Sequence, residues 1–125
     1  QRGIADRFHF TGFLKGRAVY EMLAESDVYM MPSVSEPFGI SPLEAMQCGT
    51  PSIISKQSGC AEILDHAIKT DYWDIEAMAD YIHAIVKYPA MHEALRQNGL
   101  DEVNAITWEI AGQKVRKIYD MVCGR

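Results

Sequence analysis

An apolar run, Val28-Tyr29-Met30-Met31, is stopped by Pro32 and leads into Ser35-Glu36-Pro37-Phe38-Gly39-Ile40-Ser41-Pro42-Leu43-Glu44-Ala45-Met46. Strand, glycine-bearing turn and helix start, in that order, constrain the fold more than anything else in the chain. An unbroken apolar run over Asp27–Met31 predicts a strand buried on both faces. Pro42 at the first helical position and Gly49 just past Cys48 bracket a short helix over 42–48. Pro51-Ser52-Ile53-Ile54-Ser55 repeats the buried-strand pattern. Strands alternating with helices predict an α/β fold with a parallel sheet and flanking helices.

The same stretch has a chemistry. Backbone amides at a helix start are unpaired and the helix dipole is positive there, which suits an anion. Glu36 lies on the turn and Glu44 in the first helical turn, a pair suited to the hydroxyls of a ligand that also carries phosphate. A nucleotide sugar is such a ligand. Each residue also has a plainer reading. Ser41-Pro42-Leu43-Glu44 is S-x-x-E, a capping box in which Glu44 reaches back to the Ser41 amide. Glu36 can be a solvated loop carboxylate. Gly39 is either a turn glycine or a place where backbone comes close to a ligand. Lys56 and Ser58-Gly59 follow the second strand, and in an open parallel sheet the loops after strands form the ligand crevice. Lys56 there can meet a phosphate or simply be solvated.

The rest of the chain supplies the frame. Arg7-Phe8-His9-Phe10-Thr11-Gly12-Phe13 alternates and is aromatic-rich, predicting a strand. Arg17–Glu25 predicts a short amphipathic helix with Val19, Met22 and Leu23 on one face. Cys60–Leu64 reads as a short helix and Ala67-Ile68-Lys69 as a weak strand. Asp74 caps a helix running to about Tyr88, with Ile75, Met78, Ala79, Ile82, Ile85 and Val86 as its stripe. Further helices are predicted from about Ala90 to Leu100 and after Thr107, the last carrying Trp108, Val115, Ile118 and Val122. These terminal helices, about 90–122, must cover a sheet or another domain.

At 125 residues the chain is one domain, residues 1–125, long enough to bury roughly two thirds of its unfolded surface. A net charge of -5 and a pI near 5.3 argue against a nucleic-acid partner. No apolar run approaches a membrane span of about 18 residues. No secretory signal is visible, although Gln1-Arg2-Gly3 lacks an initiating Met. Cys48, Cys60 and Cys123 are odd in number and widely spaced, which predicts reduced thiols in a cytoplasmic protein. His9, His66, His83 and His92 are scattered, so no metal site is expected.

Glu36-Pro37-Phe38-Gly39-Ile40-Ser41-Pro42-Leu43-Glu44-Ala45-Met46-Gln47-Cys48-Gly49-Thr50-Pro51 resembles the E-x7-E block of retaining glycosyltransferases of the GT-B type, group 1 or family 4. Through Glu36-Pro37-Phe38-Gly39 it also resembles glycogen, starch and sucrose synthases. Phe10-Thr11-Gly12-Phe13 resembles that family's F-T-G-F strand end, Ala24–Ser33 its A-x-x-D-V-x-x-x-P-S strand, and Ser58-Gly59-Cys60-Ala61-Glu62-Ile63 its G-G-x-x-E-I turn. Leu95–Asn98 and Thr107-Trp108 resemble its tail helices.

The resemblance implies a Rossmann-like sheet, a truncated C-terminal half-domain of a GT-B fold that binds a nucleotide-sugar donor. It implies that Glu36 is catalytic, lying near the reacting sugar carbon, and that Glu44 holds the ribose hydroxyls. Phe38 and the amides of Gly39, Ile40 and Ser41 would line the donor sugar and diphosphate, with Lys56, Ser58 and Gly59 as further phosphate or sugar contacts. No metal or other cofactor is implied. The implied reaction is transfer of a hexose to a glycan or other acceptor with retention, in a cytoplasmic parent whose peripheral attachment to membranes is left open. An α-glucan product is the lean.

This sequence departs from the family at three places. Ser58 replaces the first glycine of the turn, and Ser41-Pro42 replaces a commoner apolar pair. The chain also starts near the family's third strand, without the facing N-terminal domain. With a family strand order of 3-2-1-4-5-6, the first strand here is expected either to re-dock or to pair an exposed edge with a second copy. The fragment alone is expected to be inactive. Two rival readings are a non-catalytic nucleotide-sugar-binding module and an α/β interaction domain.

Overall fold

The computed structural model of the protein describes residues 3–124. Three parallel strands, β1 (Tyr29–Met31), β2 (Ser52–Ser55) and β3 (Ile68–Thr70), form one sheet in the order β1-β2-β3. Met30 pairs with Ile53, and Ile53 with Ile68. The helices are α1 (Arg17–Ala24), α2 (Ser41–Gln47), α3 (Ile75–Lys87), α4 (Pro89–Ala105) and α5 (Trp108–Cys123). This is the α/β architecture that the strand–helix alternation predicts, with β1 and β2 joined through α2.

Side-chain alternation along a strand divides the sheet into two faces. Met31 and Ile54 point into a core completed by Met46, Cys60, Leu64, Ala67 and Val103. α2 and α4 cover this face. They approach closely because Gly99 is buried in the middle of α4, where a Cβ would lie 3.1 Å from Met46 Cε. α4 runs through this glycine and on to Ala105, past the boundary expected near Leu100. On the opposite face Met30 sits with Pro32, Val34, Tyr72 and α3's Ile75, Met78 and Ile82 in an apolar groove of about 460 Å³. Met30 is therefore 42% exposed, which corrects the expectation that this strand is buried on both faces. β1 is an edge strand, and the groove between Met30 and α3 stays open.

Two other expectations change. Phe8–Phe13 forms no strand; a 3₁₀ turn at Ala5–Arg7 precedes it, and Phe10 and Phe13 are 94% and 87% exposed. It has not re-docked onto the free edge of β1. An alternating pattern specifies a strand only where a neighbour returns hydrogen bonds and burial for the ordering cost. The last helix forms where Thr107 starts it, yet none of its residues is buried. The caps were legible: Asp74 accepts from the Ala77 amide at 3.0 Å and Thr107 from the Ile110 amide at 3.4 Å.

Candidate functional site

The loops that leave the C-terminal ends of the three strands meet on one side of the sheet. Met31 gives way to the loop bearing Glu36, Phe38 and Gly39, which ends at α2 with Ile40, Ser41 and Glu44. Ser55 gives way to the loop bearing Lys56, Ser58 and Gly59. The two loops are joined by a parallel bridge between Glu36 and Ser58. The Gly59 amide donates to the Glu36 carbonyl at 2.9 Å, and the Cys60 amide to the Phe38 carbonyl at 2.7 Å. All nine sequence-predicted site residues thus lie on two adjoining loops and the helix start between them.

Glu36 is half-buried, and its Oε1 accepts from the Phe38 amide at 3.4 Å. The carboxylate folds back over its own turn and stays partly open to solvent. Gly39 is buried with φ at +87°, where a Cβ would lie 2.8 Å from Met31 Cε and 3.2 Å from Glu36 Cγ. The glycine is thus required by both backbone conformation and space.

The capping box does not form. Ile40 is the residue before α2, with helical φ and ψ of -73° and -33°, and no side chain caps the helix. Ser41 is inside the helix instead, and its hydroxyl accepts from the Tyr29 hydroxyl at 2.9 Å. A strand tyrosine has taken the serine that the S-x-x-E pattern reserved for the cap. Among the described residues, the Glu44 carboxylate has no hydrogen-bond or ion-pair partner. Its charge is still felt one helical turn on: burial first, and then Glu44, push the Cys48 thiol up.

The second loop is tied down by its own contacts. Lys56 Nζ meets Asp71 Oδ2 at 3.0 Å, and Gln57 Nε2 meets Asp71 Oδ1 at 3.3 Å. These bonds, Lys56 before Gln57, hold the Asp71 carboxyl below the usual carboxylate range. Ser58 is buried and its hydroxyl donates to the Ser55 carbonyl at 2.6 Å. The Gly59 amide is used on Glu36, as above. Asp71 and Tyr29 were not singled out from sequence. Asp71 is one residue past β3, and the position after a parallel strand is the signal that would have found it. Tyr29 had no such signal.

An apolar pocket of about 670 Å³ adjoins the first loop, lined by Phe38, Ile40 and Leu43 and by Ile106, Thr107 and Trp108 at the start of α5. Among the described residues, no group of three or more His, Cys, Asp or Glu side chains is gathered as a metal site would need. Among the described residues no helix is long and apolar enough to cross a membrane.

Comparison with known proteins bears on the whole arrangement. The family described as "Glycosyl transferases group 1" matches residues 1–102. A GDP-mannose-dependent alpha-(1-6)-phosphatidylinositol dimannoside mannosyltransferase of Mycobacterium tuberculosis is 36% identical over 105 residues, covering 82% of this chain and 27% of that protein. The sucrose-phosphate synthase of Thermosynechococcus elongatus superimposes with a TM-score of 0.79 at 29% identity, over 97% of this chain and 31% of its own. HepE of Anabaena, solved with UDP-glucose, gives a TM-score of 0.79 at 21% identity, over 95% of this chain and 34% of its own. The last of these speaks to the fold alone. The chain spans about a quarter of the length of the curated mannosyltransferase it matches.

Proposed function

This chain belongs to the group 1 glycosyl transferases, and from that premise we propose that it forms the donor side of a retaining hexosyltransferase acting on a nucleotide sugar. The observation that carries the proposal is the pair of carboxylates. Glu36 is half-buried on a loop locked to its neighbour, and Glu44 is half-buried at a helix start, without a partner among the described residues.

In this reading Glu44 accepts hydrogen bonds from the ribose hydroxyls of the donor. Phe38 and the amides of Gly39, Ile40 and Ser41 line the sugar and diphosphate, and the amides offset negative charge as the nucleoside diphosphate leaves. Glu36 lies beside the reacting carbon and stabilises the positive charge that develops there. Lys56, released from Asp71, is the cation within the same loop set that can meet a phosphate. No metal has a part in these steps, so chelation with EDTA should leave the rate unchanged. The acceptor is a glycan or another hydroxyl compound, positioned by a facing domain outside these 125 residues. The chain alone should therefore bind donor and transfer nothing.

The test is donor hydrolysis by the full-length parent across UDP-, GDP- and ADP-sugars. Release of one nucleoside diphosphate, reduced about 100-fold or more by Glu36→Gln at unchanged folding stability, is the expected result. Full turnover in both Glu36→Gln and Glu44→Gln would remove the assignment. Donor binding without turnover in the wild-type parent would leave a nucleotide-sugar-binding module.

A further inference from the structure

Ser58 and Gly59 were expected to face a ligand, yet their polar groups point into the protein. Gly59 lies so close to the first loop that a Cβ would fall on the Pro37 carbonyl oxygen and within 3.0 Å of Phe38 Cα. Both neighbours are backbone, so neither can swing aside. The absence of a side chain is what lets the Gly59 amide reach the Glu36 carbonyl at 2.9 Å and the Cys60 amide reach the Phe38 carbonyl at 2.7 Å.

Ser58 sets the direction of that approach. It is 2% exposed, and both its amide, at 3.2 Å, and its hydroxyl, at 2.6 Å, donate to the Ser55 carbonyl. The turn after β2 is thus closed twice on one acceptor, immediately before Gly59. A glycine at this position would keep only the amide bond. The restraint then passes to the side chain of interest. The carbonyl of Phe38 is held by Cys60, and the amide of Phe38 donates to Glu36 Oε1 at 3.4 Å. Clamping this segment fixes the donor that faces the Glu36 carboxylate.

We propose that Ser58 and Gly59 are positioning residues for Glu36: the Ser58 hydroxyl fixes the turn and the bare Gly59 lets it clamp the Glu36–Phe38 backbone. The proposal rests on the transferase reading given above. It separates this chain from a glycine-glycine turn, in which the loop carrying the carboxylate is held by fewer bonds.

The experiment uses the full-length parent and measures kcat and donor KM for Ser58→Ala and Gly59→Ala, alone and combined with Glu36→Gln. Ser58→Ala should lower kcat about tenfold while donor KM stays within about twofold, because misplacement of a reacting group by a fraction of an ångström acts on the chemical step. In the Glu36→Gln background Ser58→Ala should cause no further loss, since the two act as a unit. Gly59→Ala should lose more, and if it fails to fold the Ser58 series still decides. A rise in donor KM at constant kcat would make Ser58 a donor contact and overturn the proposal. So would an equal loss in both backgrounds, which marks a merely structural role. If Glu36→Gln and Glu44→Gln both keep full turnover, the transferase assignment fails separately. The clamp is then read by hydrogen exchange, where Ser58→Ala should lose protection at the Gly59 and Cys60 amides. Unchanged protection would remove it.

Discussion

The segment from Glu36 to Leu64 and the two ends of the chain are built from similarly apolar sequence and come out opposite. Between Glu36 and Leu64, β2 is wholly buried, two loops are clamped backbone to backbone, and Cys60 and Leu64 are fully excluded from solvent. At the ends, Phe10 is 94% exposed and Trp108 is 90% exposed, and α5 buries nothing. The difference lies in partners and not in composition. Apolar residues of the central segment have a sheet, α2 and α4 to pack against, whereas Phe10, Phe13 and the residues of α5 stay mostly exposed.

The comparison breaks most visibly through stability. Leu64→Ala removes a fully buried core side chain and should cost about 2–5 kcal/mol in chemical denaturation of the chain. Phe10→Ser, of similar or greater loss in apolar volume, should change stability by no more than about 0.5 kcal/mol because Phe10 touches mainly water. Comparable losses for the two would mean that the N-terminal segment is packed after all.

The sequence disclosed whatever is decided locally. Asp74 and Thr107 cap their helices because a side-chain oxygen two or three residues from an open amide needs no distant help. Gly39 was legible as a special position, though its reasons, a positive φ and the nearness of Met31 and Cys60, required the fold. The carboxylate pair was found from spacing, while the fate of Glu44 was not. The S-x-x-E pattern is satisfied in sequence, but Tyr29, from a strand, binds Ser41 and the helix begins a residue early. Phe8–Phe13 failed for the same reason in reverse, its pattern being correct for a strand without a neighbour. Long-range ties such as Glu102 to the Asp65 and His66 amides leave no trace in any window of sequence.

That last tie sharpens the comparison at a middle scale. Glu102, on α4, accepts from the Asp65 amide at 2.6 Å and from the His66 amide at 2.9 Å. It fastens the turn below the second loop to the helix behind the core. Glu102→Ala should cost about 1–2 kcal/mol, less than a core deletion because both amides can turn to water. The loss should be accompanied by faster exchange in the 59–64 segment and not in α5. If exchange rises everywhere equally, the central segment is not a separate unit of stability.

The smallest expected effect concerns the third loop, which joins the clamped pair through Asp71. Hydrogen bonds from Lys56, and secondarily from Gln57, hold the Asp71 carboxyl below its ordinary value. A depressed carboxylate contributes stability that is present above the unfolded pKa and is lost as pH falls through the folded one. The tie should therefore be intact at neutral pH and released in the acid range below the usual carboxylate titration. Carboxyl NMR of Asp71 reads this directly. Lys56→Ala should move its titration up towards the ordinary range, and Gln57→Ala should move it in the same direction by less. The salt bridge is exposed, with Lys56 54% accessible, so added salt should shrink the Lys56 effect. An Asp71 titration indifferent to Lys56→Ala would detach the third loop, leaving Lys56 free to meet a phosphate without first giving up a partner.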